Sequence, residues 1–212
     1  GSCGTSLIFG RESCRPSNSS VNERVMFYCN AARGDLEAAR RIAHGNLRAV
    51  HIIRDPLGLV VSGYVYHMHS NDGARLKQMR RVNVSEGVAL EAKAALRDAL
   101  PEMLHAYSNS RRNRDVLVVR LEEFMNSSAG FDATVQKVYE YTVGDFKDKK
   151  TIEGMVRSAA GEDLARHPMT GHGHSASLID PDLKRDAVAA LDNLPDHMKN
   201  TLLGYRKALG YA

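Results

Sequence analysis

Arg54 and Ser62 are the two residues whose types and spacing best fit the chemistry of holding a phosphate. The apolar run 49–53 precedes them and has the pattern of a strand buried on both faces of a parallel sheet. Asp55 suits a helix N-cap, and Pro56 suits the first turn of the helix that follows. At the carboxyl edge of an open α/β sheet, a guanidinium and a hydroxyl beside a helix N-terminus can hold a phosphate. An ordinary strand-to-helix turn with a surface Arg-Asp pair is the alternative.

A second candidate for phosphate binding is the stretch Gly4-Thr5-Ser6 near the start of the chain. Glycine lets a loop approach a phosphate closely, and backbone N–H groups at a following helix start can cradle the anion. A flexible segment rich in small residues is the alternative interpretation of the same stretch.

A third candidate is the segment 166–175, which holds three histidines and the run Thr170-Gly171-His172-Gly173. Two of the histidines are separated by a single glycine, and no carboxylate or cysteine stands at ligand spacing. A metal site is therefore not expected there. A surface loop rich in Gly and His is the alternative.

One segment resembles a known family. Arg-Asp-Pro at 54–56, followed by Ser-Gly-Tyr at 62–64 and Tyr-His at 66–67, is similar to the 3′-phosphate-binding segment of the sulfotransferases. These enzymes use 3′-phosphoadenosine 5′-phosphosulfate (PAPS) as co-substrate. In that family the Arg and the Ser hold the 3′-phosphate of the nucleotide, so the resemblance implies this role for Arg54 and Ser62.

Other parts of the chain fall in the order that the resemblance implies. Residues 4–6 are similar to the second half of the family's 5′-phosphosulfate loop, although its usual Lys is absent here. Residues 170–173 stand where a basic, Gly-containing loop folds over the nucleotide, and 115–124 and 209–211 are similar to the family's late strand and its closing Leu-Gly-Tyr. The resemblance implies one domain over 1–212 whose first strand, before residue 1, is missing.

A general base must take the proton of the acceptor, and histidine is the usual choice near neutral pH. Cytosolic sulfotransferases place that His just after the strand equivalent to 24–29, but positions 29–31 here carry Cys, Asn and Ala. His69 stands seven positions after Ser62 and therefore shares its helix face. His69 and His172 are the two candidates for the base, and a structural role is the alternative for each.

The hydrophobic patterns predict alternating strands and helices, and a strand–helix–strand unit implies parallel pairing with a right-handed crossover. Together with the resemblance they predict an α/β fold, a three-layer α/β/α architecture with a central, mostly parallel sheet, like that of P-loop NTPases. The predicted strands are 24–29, 49–53 and 115–124. The predicted helices are 35–44, the segment after Pro56, 86–107 with a cap at Ser85 and a kink or break at Pro101, 131–141, 152–160, 178–191 and 195–209. Residues 11–23 and 71–83 are predicted to be loops.

The composition places limits on the function. Of the 212 residues, 43% are hydrophobic and 25% are charged, which is typical of a globular domain. A net charge of +4 favours recruitment of a small polyanion such as a nucleotide, and no nucleic-acid-binding motif is present. Because no apolar run approaches the roughly 20 residues of a membrane span and no signal peptide is visible, a cytoplasmic location is expected. A signal or anchor removed from the chain stays compatible with that sequence. Cys3, Cys14 and Cys29 are expected to be free thiols rather than a Cys14–Cys29 disulfide.

By resemblance, the predicted reaction is transfer of a sulfuryl group from PAPS to a hydroxyl or amine of a small-molecule or glycan acceptor, with no metal required. A P-loop-type kinase or other nucleotide-binding protein is an alternative, although the chain lacks Gly-x-x-x-x-Gly-Lys-Ser/Thr. A binding module that kept the fold but lost catalysis is the other alternative. The sequence specifies neither the acceptor nor the oligomeric state.

Overall fold

The computed structural model describes residues 33–42, 47–69, 74–167 and 180–211. This part of the chain is mostly helical and contains a small two-stranded parallel sheet, which agrees with the α/β class predicted. Its elements are α1 Arg33–Ile42, β1 Ala49–Ile53, α2 Pro56–His69, α3 Ala74–Met79, α4 Val84–Arg97, α5 Ala99–Ser110, β2 Val116–Arg120, α6 Leu121–Met125, α7 Ser128–Val143, α8 Lys149–Ala159, α9 Pro181–Ala190 and α10 Asp196–Ala208. Single 3₁₀ turns follow α8 and α9. None of the helices in these ranges is long and apolar enough to cross a membrane.

Strands β1 and β2 run parallel, with Ala49 opposite Val116 and Ile53 opposite Arg120. The bounds of β1 match the predicted strand 49–53, but the prediction for β2 was too long. After Arg120 the chain turns directly into the short helix α6 instead of continuing as a strand. Leu, Glu and Met favour helix, and two glutamates in the first turn complement the positive end of the helix dipole.

Helices α2 and α4 pack through two glycines that receive large side chains from the opposite helix. A Cβ on Gly63 of α2 would lie 2.5 Å from Oε1 of Glu91 on α4, and a Cβ on Gly87 of α4 would lie 2.5 Å from the ring of Tyr64 on α2. Tyr64 is 1% exposed, so its ring is enclosed by the protein interior. The two helices therefore approach closely only because neither glycine carries a side chain.

The predicted loop 71–83 is wrong in part, because residues 74–79 form helix α3. Met79 ends this helix fully buried in the hydrophobic core. Burial of that one large side chain in the core outweighs the polar character of its neighbours.

The predicted helix 86–107 is divided into α4 and α5 at Asp98, which confirms a break in this window. Pro101 lies in the first turn of α5, where a missing N–H costs little. The cap of α4 is Asn83 rather than Ser85, since the Asn83 side chain accepts from the Glu86 N–H at 2.9 Å.

The predicted helices 35–44, 131–141, 152–160, 178–191 and 195–209 are confirmed as α1, α7, α8, α9 and α10 within the described residues, which leave out 43–44 and 178–179. Asp180 caps α9 by accepting from the Leu183 N–H at 2.9 Å, with Pro181 as the first helical residue. The predicted strand 24–29, the loop 11–23 and the three cysteines lie outside the described residues.

Helices α2, α4, α5, α9 and α10 supply most of the core; its fully buried side chains include Val60, Tyr64, Val65, Val88, Leu100, Leu202 and Leu209.

Candidate functional site

The carboxyl ends of β1 and β2 meet at one edge of the sheet, because the two strands are parallel and in register. Arg54 and Asp55 follow β1 at this edge, and Glu122 follows β2. The backbone N–H of Asp55 donates to Oε1 of Glu122 at 2.8 Å, so the two strand ends are tied together. The segment after β1 that the sequence singled out is thus bonded through its backbone to a carboxylate of α6, the helix that follows β2.

The N-terminus of α2 is satisfied largely by the protein itself. Oδ1 of Asp55 accepts from the Leu57 N–H at 2.9 Å, which confirms Asp55 as the cap, and Pro56 has no N–H to offer. The Leu59 N–H makes the first helical hydrogen bond to the Asp55 carbonyl at 2.8 Å. An anion at this edge must therefore be held mainly by side chains rather than by the first backbone amides.

Arg54 lies half-buried beside the first turns of α2. Its Nε is 3.8 Å from the position that a Cβ on Gly58 would occupy. Ser62 stands one helical turn after Gly58 and therefore on the same face of α2. The structure thus brings the two predicted phosphate ligands to one side of one helix. The Ser62 hydroxyl donates to the Leu59 carbonyl at 3.3 Å, so it must rotate away from that carbonyl to donate to a phosphate.

The Arg54 guanidinium makes no hydrogen bond or ion pair with any other residue in the described ranges. Burial lowers the pKa of this guanidinium, and the negative charges of Glu122 and Asp55 act in the opposite direction. An arginine stays protonated at physiological pH under such a shift. Arg54 is therefore a partly desolvated cation that has no direct partner of opposite charge in the part of the chain that the structure describes.

All four oxygens of the two carboxylates near Arg54 are engaged by other donors. Asp55 accepts from the Leu57 N–H and from Nε of Arg206, the latter at 2.8 Å. Glu122 accepts from the Asp55 N–H and from the hydroxyl of Tyr211, the latter at 2.9 Å. Each carboxylate thus has a partner on every oxygen, and in no case is that partner Arg54.

Tyr211 reaches this edge because the chain reverses direction after α10. The Gly210 N–H donates to the Lys207 carbonyl and the Tyr211 N–H to the Arg206 carbonyl, at 3.0 and 2.9 Å, which is the Schellman arrangement. Gly210 has a φ of 81°, a left-handed conformation that glycine adopts without strain. Arg120 donates to the Gly210 carbonyl, and its guanidinium carbon lies 4.6 Å from the centre of the Tyr211 ring.

The charges at this edge do not cancel. Among the described residues whose contacts join this edge, Arg54, Arg120 and Arg206 are cationic and Asp55 and Glu122 are anionic, an excess of one positive charge in this set. Arg206 pairs with Asp55, whereas Arg120 bonds a neutral carbonyl and stacks on the Tyr211 ring. Arg54 and Arg120 therefore both lack an ion pair among the described residues, and of the two only Arg54 also lacks a hydrogen bond. The edge can therefore accept one further anionic group.

His69, a predicted base candidate, is the last residue of α2 and lies about 10 Å beyond Ser62 along the helix axis. Its Nε2 is 3.4 Å from Oδ2 of Asp180, and the imidazole is 44% exposed. Asp180 is the first described residue after the segment that contains His172. The other predicted site residues, namely Gly4, Thr5, Ser6, Thr170, Gly171, His172 and Gly173, lie outside the described residues.

Two further histidines of this region are buried and belong to the scaffold. Nδ1 of His67 lies 2.9 Å from Oε2 of Glu91, and both side chains are less than a tenth exposed. His51, in the middle of β1, is also buried, and neither of its nitrogens has a hydrogen-bond partner in the described ranges. Burial lowers the pKa of His51 from its ordinary value of 6.5 to about 4, so the imidazole is neutral at physiological pH.

Sequence reasoning did not assign Glu122, Arg206 or Tyr211 to the site. Glu122 stood inside the predicted strand 115–124, so its place at the carboxyl end of the sheet became visible only once β2 was seen to end at Arg120. Arg206 and Asp55 are 151 positions apart in the sequence, and no sequence pattern predicts that they are in contact.

Within the described ranges, no group of His, Cys, Asp and Glu residues has an arrangement that could hold a metal ion. Comparison of the chain with protein-family models, curated proteins and solved structures finds no match in any of the three. The functional argument therefore depends on the chemistry of the site itself.

Proposed function

We propose that this chain is a PAPS-dependent sulfotransferase of the three-layer, P-loop-like α/β class, which transfers a sulfuryl group to a hydroxyl or amine. The observation that carries the proposal is the Arg54 guanidinium, a half-buried cation that lies beside the helix face bearing Ser62 and has no direct counter-charge among the described residues. A ribose 3′-phosphate offers the negative charge and acceptor oxygens that Arg54 lacks, and the Ser62 hydroxyl can donate to the same phosphate once it rotates away from the Leu59 carbonyl. The contacts of α5 and α7 with both strands are in keeping with a sheet that is covered by helices.

In this proposal Arg54 and Ser62 anchor the nucleotide by its 3′-phosphate. The acceptor's oxygen or nitrogen attacks the sulfur, the S–O bond to the 5′-phosphate breaks, and adenosine 3′,5′-bisphosphate departs. The proton of the acceptor passes to a base, for which His69 and His172 remain the candidates. Such an in-line transfer depends mainly on positioning and on stabilisation of charge, so an anchor remote from the reacting atoms contributes directly to the rate.

Two measurements on the unmodified chain test this proposal. Calorimetric titration should give tighter binding of adenosine 3′,5′-bisphosphate than of ATP, since only the former has a phosphate for Arg54 and Ser62. Incubation with PAPS labelled in its sulfate should then transfer the label to at least one acceptor in a panel of phenols, alcohols, amines and glycans.

The outcomes of these two measurements separate the alternatives. A preference for ATP would contradict the sulfotransferase assignment and favour a kinase-like protein. Tight binding of the bisphosphate without transfer to any acceptor would favour a non-catalytic binding module.

A further inference from the structure

Two residues at the end of the described chain, Arg206 and Tyr211, control the charges around Arg54 without belonging to the strand–helix unit that carries it. Tyr211 donates to one oxygen of Glu122, and Arg206 donates to one oxygen of Asp55. Tyr211 is 8% exposed and Arg206 is half-buried, so both bonds are partly shielded from water. Hydrogen bonds to a charged group in such surroundings are among the stronger ones in proteins.

These two bonds decide which partner Arg54 has. A guanidinium beside a carboxylate with a free oxygen forms a strong pair, and such a pair would compete with any phosphate for the same donors. Glu122 and Asp55 are the carboxylates whose charges act on Arg54. Each oxygen of both already accepts one bond, which fixes the direction of the carboxylate, and none of the four is bonded to Arg54.

We propose that Tyr211 and Arg206 are positioning residues that hold Glu122 and Asp55 away from Arg54 and so keep Arg54 free to bind the nucleotide's 3′-phosphate. This inference rests on the proposed function. Burial and the bond to Glu122 both raise the pKa of the Tyr211 hydroxyl, so it remains a donor at all physiological pH values. The stacking of Arg120 on the Tyr211 ring and its bond to the Gly210 carbonyl fix the tyrosine in place.

Replacement Tyr211→Phe tests the proposal, because it removes the hydroxyl and keeps the ring under Arg120. Glu122 is then left with a free oxygen that can pair with Arg54. We expect the affinity for adenosine 3′,5′-bisphosphate to fall about tenfold, the effect of losing one hydrogen bond to a charged group. The affinity for adenosine 5′-monophosphate, which has no 3′-phosphate, should not change.

The second substitution Glu122→Gln distinguishes positioning from a merely structural role. Gln carries no charge and cannot form an ion pair with Arg54, so the double variant Tyr211→Phe with Glu122→Gln should regain the affinity of the unmodified chain to within about threefold. A tyrosine that only supported the fold would not be rescued by this change. Tyr141→Phe is the matched control, since the Tyr141 hydroxyl donates to the Arg114 carbonyl at a turn away from the site.

A second pair of variants, at Arg206 and Asp55, gives an independent test in case Tyr211→Phe does not fold. Arg206→Met frees one oxygen of Asp55 and should lower the affinity for the bisphosphate in the same way, and Asp55→Asn in that background should restore it. Asn keeps the capping ability of position 55. If thermal unfolding shows that Tyr211→Phe does not fold, the affinities of the Arg206 and Asp55 variants for the bisphosphate test the inference instead.

Unchanged affinity for the bisphosphate in folded Tyr211→Phe and Arg206→Met proteins would overturn the inference while leaving the proposed function intact. A loss that Glu122→Gln and Asp55→Asn do not reverse, or an equal loss for the monophosphate, would also overturn it. If the unmodified chain itself binds the two nucleotides equally, the proposed function fails, and the inference fails with it.

Discussion

At the scale of single residues, the site is defined by which polar groups are satisfied and which are not. Glu122 and Asp55 have a donor on every oxygen, whereas the Arg54 guanidinium has no hydrogen bond within the described ranges. A half-buried cation of this kind is costly unless something of opposite charge completes it. We interpret the missing partner as the anionic group of a ligand.

His51 is a second unsatisfied group, but its consequence concerns stability. Its pKa is about 4 in the folded protein and 6.5 in an unfolded chain, so between these pH values the unfolded state binds more protons. The contribution of His51 to stability is therefore complete above pH 6.5 and is lost as the pH falls towards 4. This amounts to about 3 kcal/mol, from 1.36 kcal/mol for each unit of pKa shift.

Replacement His51→Leu should remove this pH dependence. Urea unfolding at pH 7, 5.5 and 4 would give the free energy of unfolding for both proteins, and the unmodified chain should lose about 3 kcal/mol more than the variant over this range. His105→Gln, at an exposed position on α5, is the control and should behave like the unmodified chain. Parallel curves for His51→Leu and the unmodified chain would contradict the buried neutral imidazole.

At the scale of elements, the site depends on the position of α2. This helix starts at the edge of the sheet with Pro56 and carries Ser62 on the face that lies beside Arg54. Its other side packs closely on α4 through Gly63 and Gly87. A change in that packing would move Ser62 relative to the strand that fixes Arg54.

Gly87→Ala tests the importance of this close approach. The new methyl group would lie 2.5 Å from the buried ring of Tyr64, and overpacking of this kind costs about 1–3 kcal/mol in the free energy of unfolding. Gly204→Ala on α10 is the matched control: a Cβ there meets nothing within 4 Å, and the change should stabilise by about 0.5–1 kcal/mol. Chemical denaturation measures both, and equal stabilisation by the two substitutions would contradict the packing described.

At the scale of the whole molecule, the sequence predicted local structure well and long-range contacts poorly. The strand 49–53 and the cap at Asp55 were predictable, because apolar runs and Asp-Pro pairs act within a few residues. The end of β2 was not predictable from the sequence, because residues 121–124 are compatible with both strand and helix and tertiary packing selects the helix. The position of Tyr211 beside Glu122 was not predictable either, because it depends on how α10 packs and on the left-handed turn at Gly210.

The central claim is that Arg54 and Ser62 hold a 3′-phosphate, and a thermodynamic cycle tests it most directly. Calorimetry would measure the dissociation constants of adenosine 3′,5′-bisphosphate and adenosine 5′-monophosphate for the unmodified chain, Arg54→Gln and Ser62→Ala. Arg48→Gln, whose guanidinium pairs with Asp145 instead, serves as the control. We predict that the unmodified chain and the control prefer the bisphosphate and that Arg54→Gln lowers this preference by roughly 10- to 100-fold, with a smaller loss for Ser62→Ala. An unchanged preference in both Arg54→Gln and Ser62→Ala would contradict the claim.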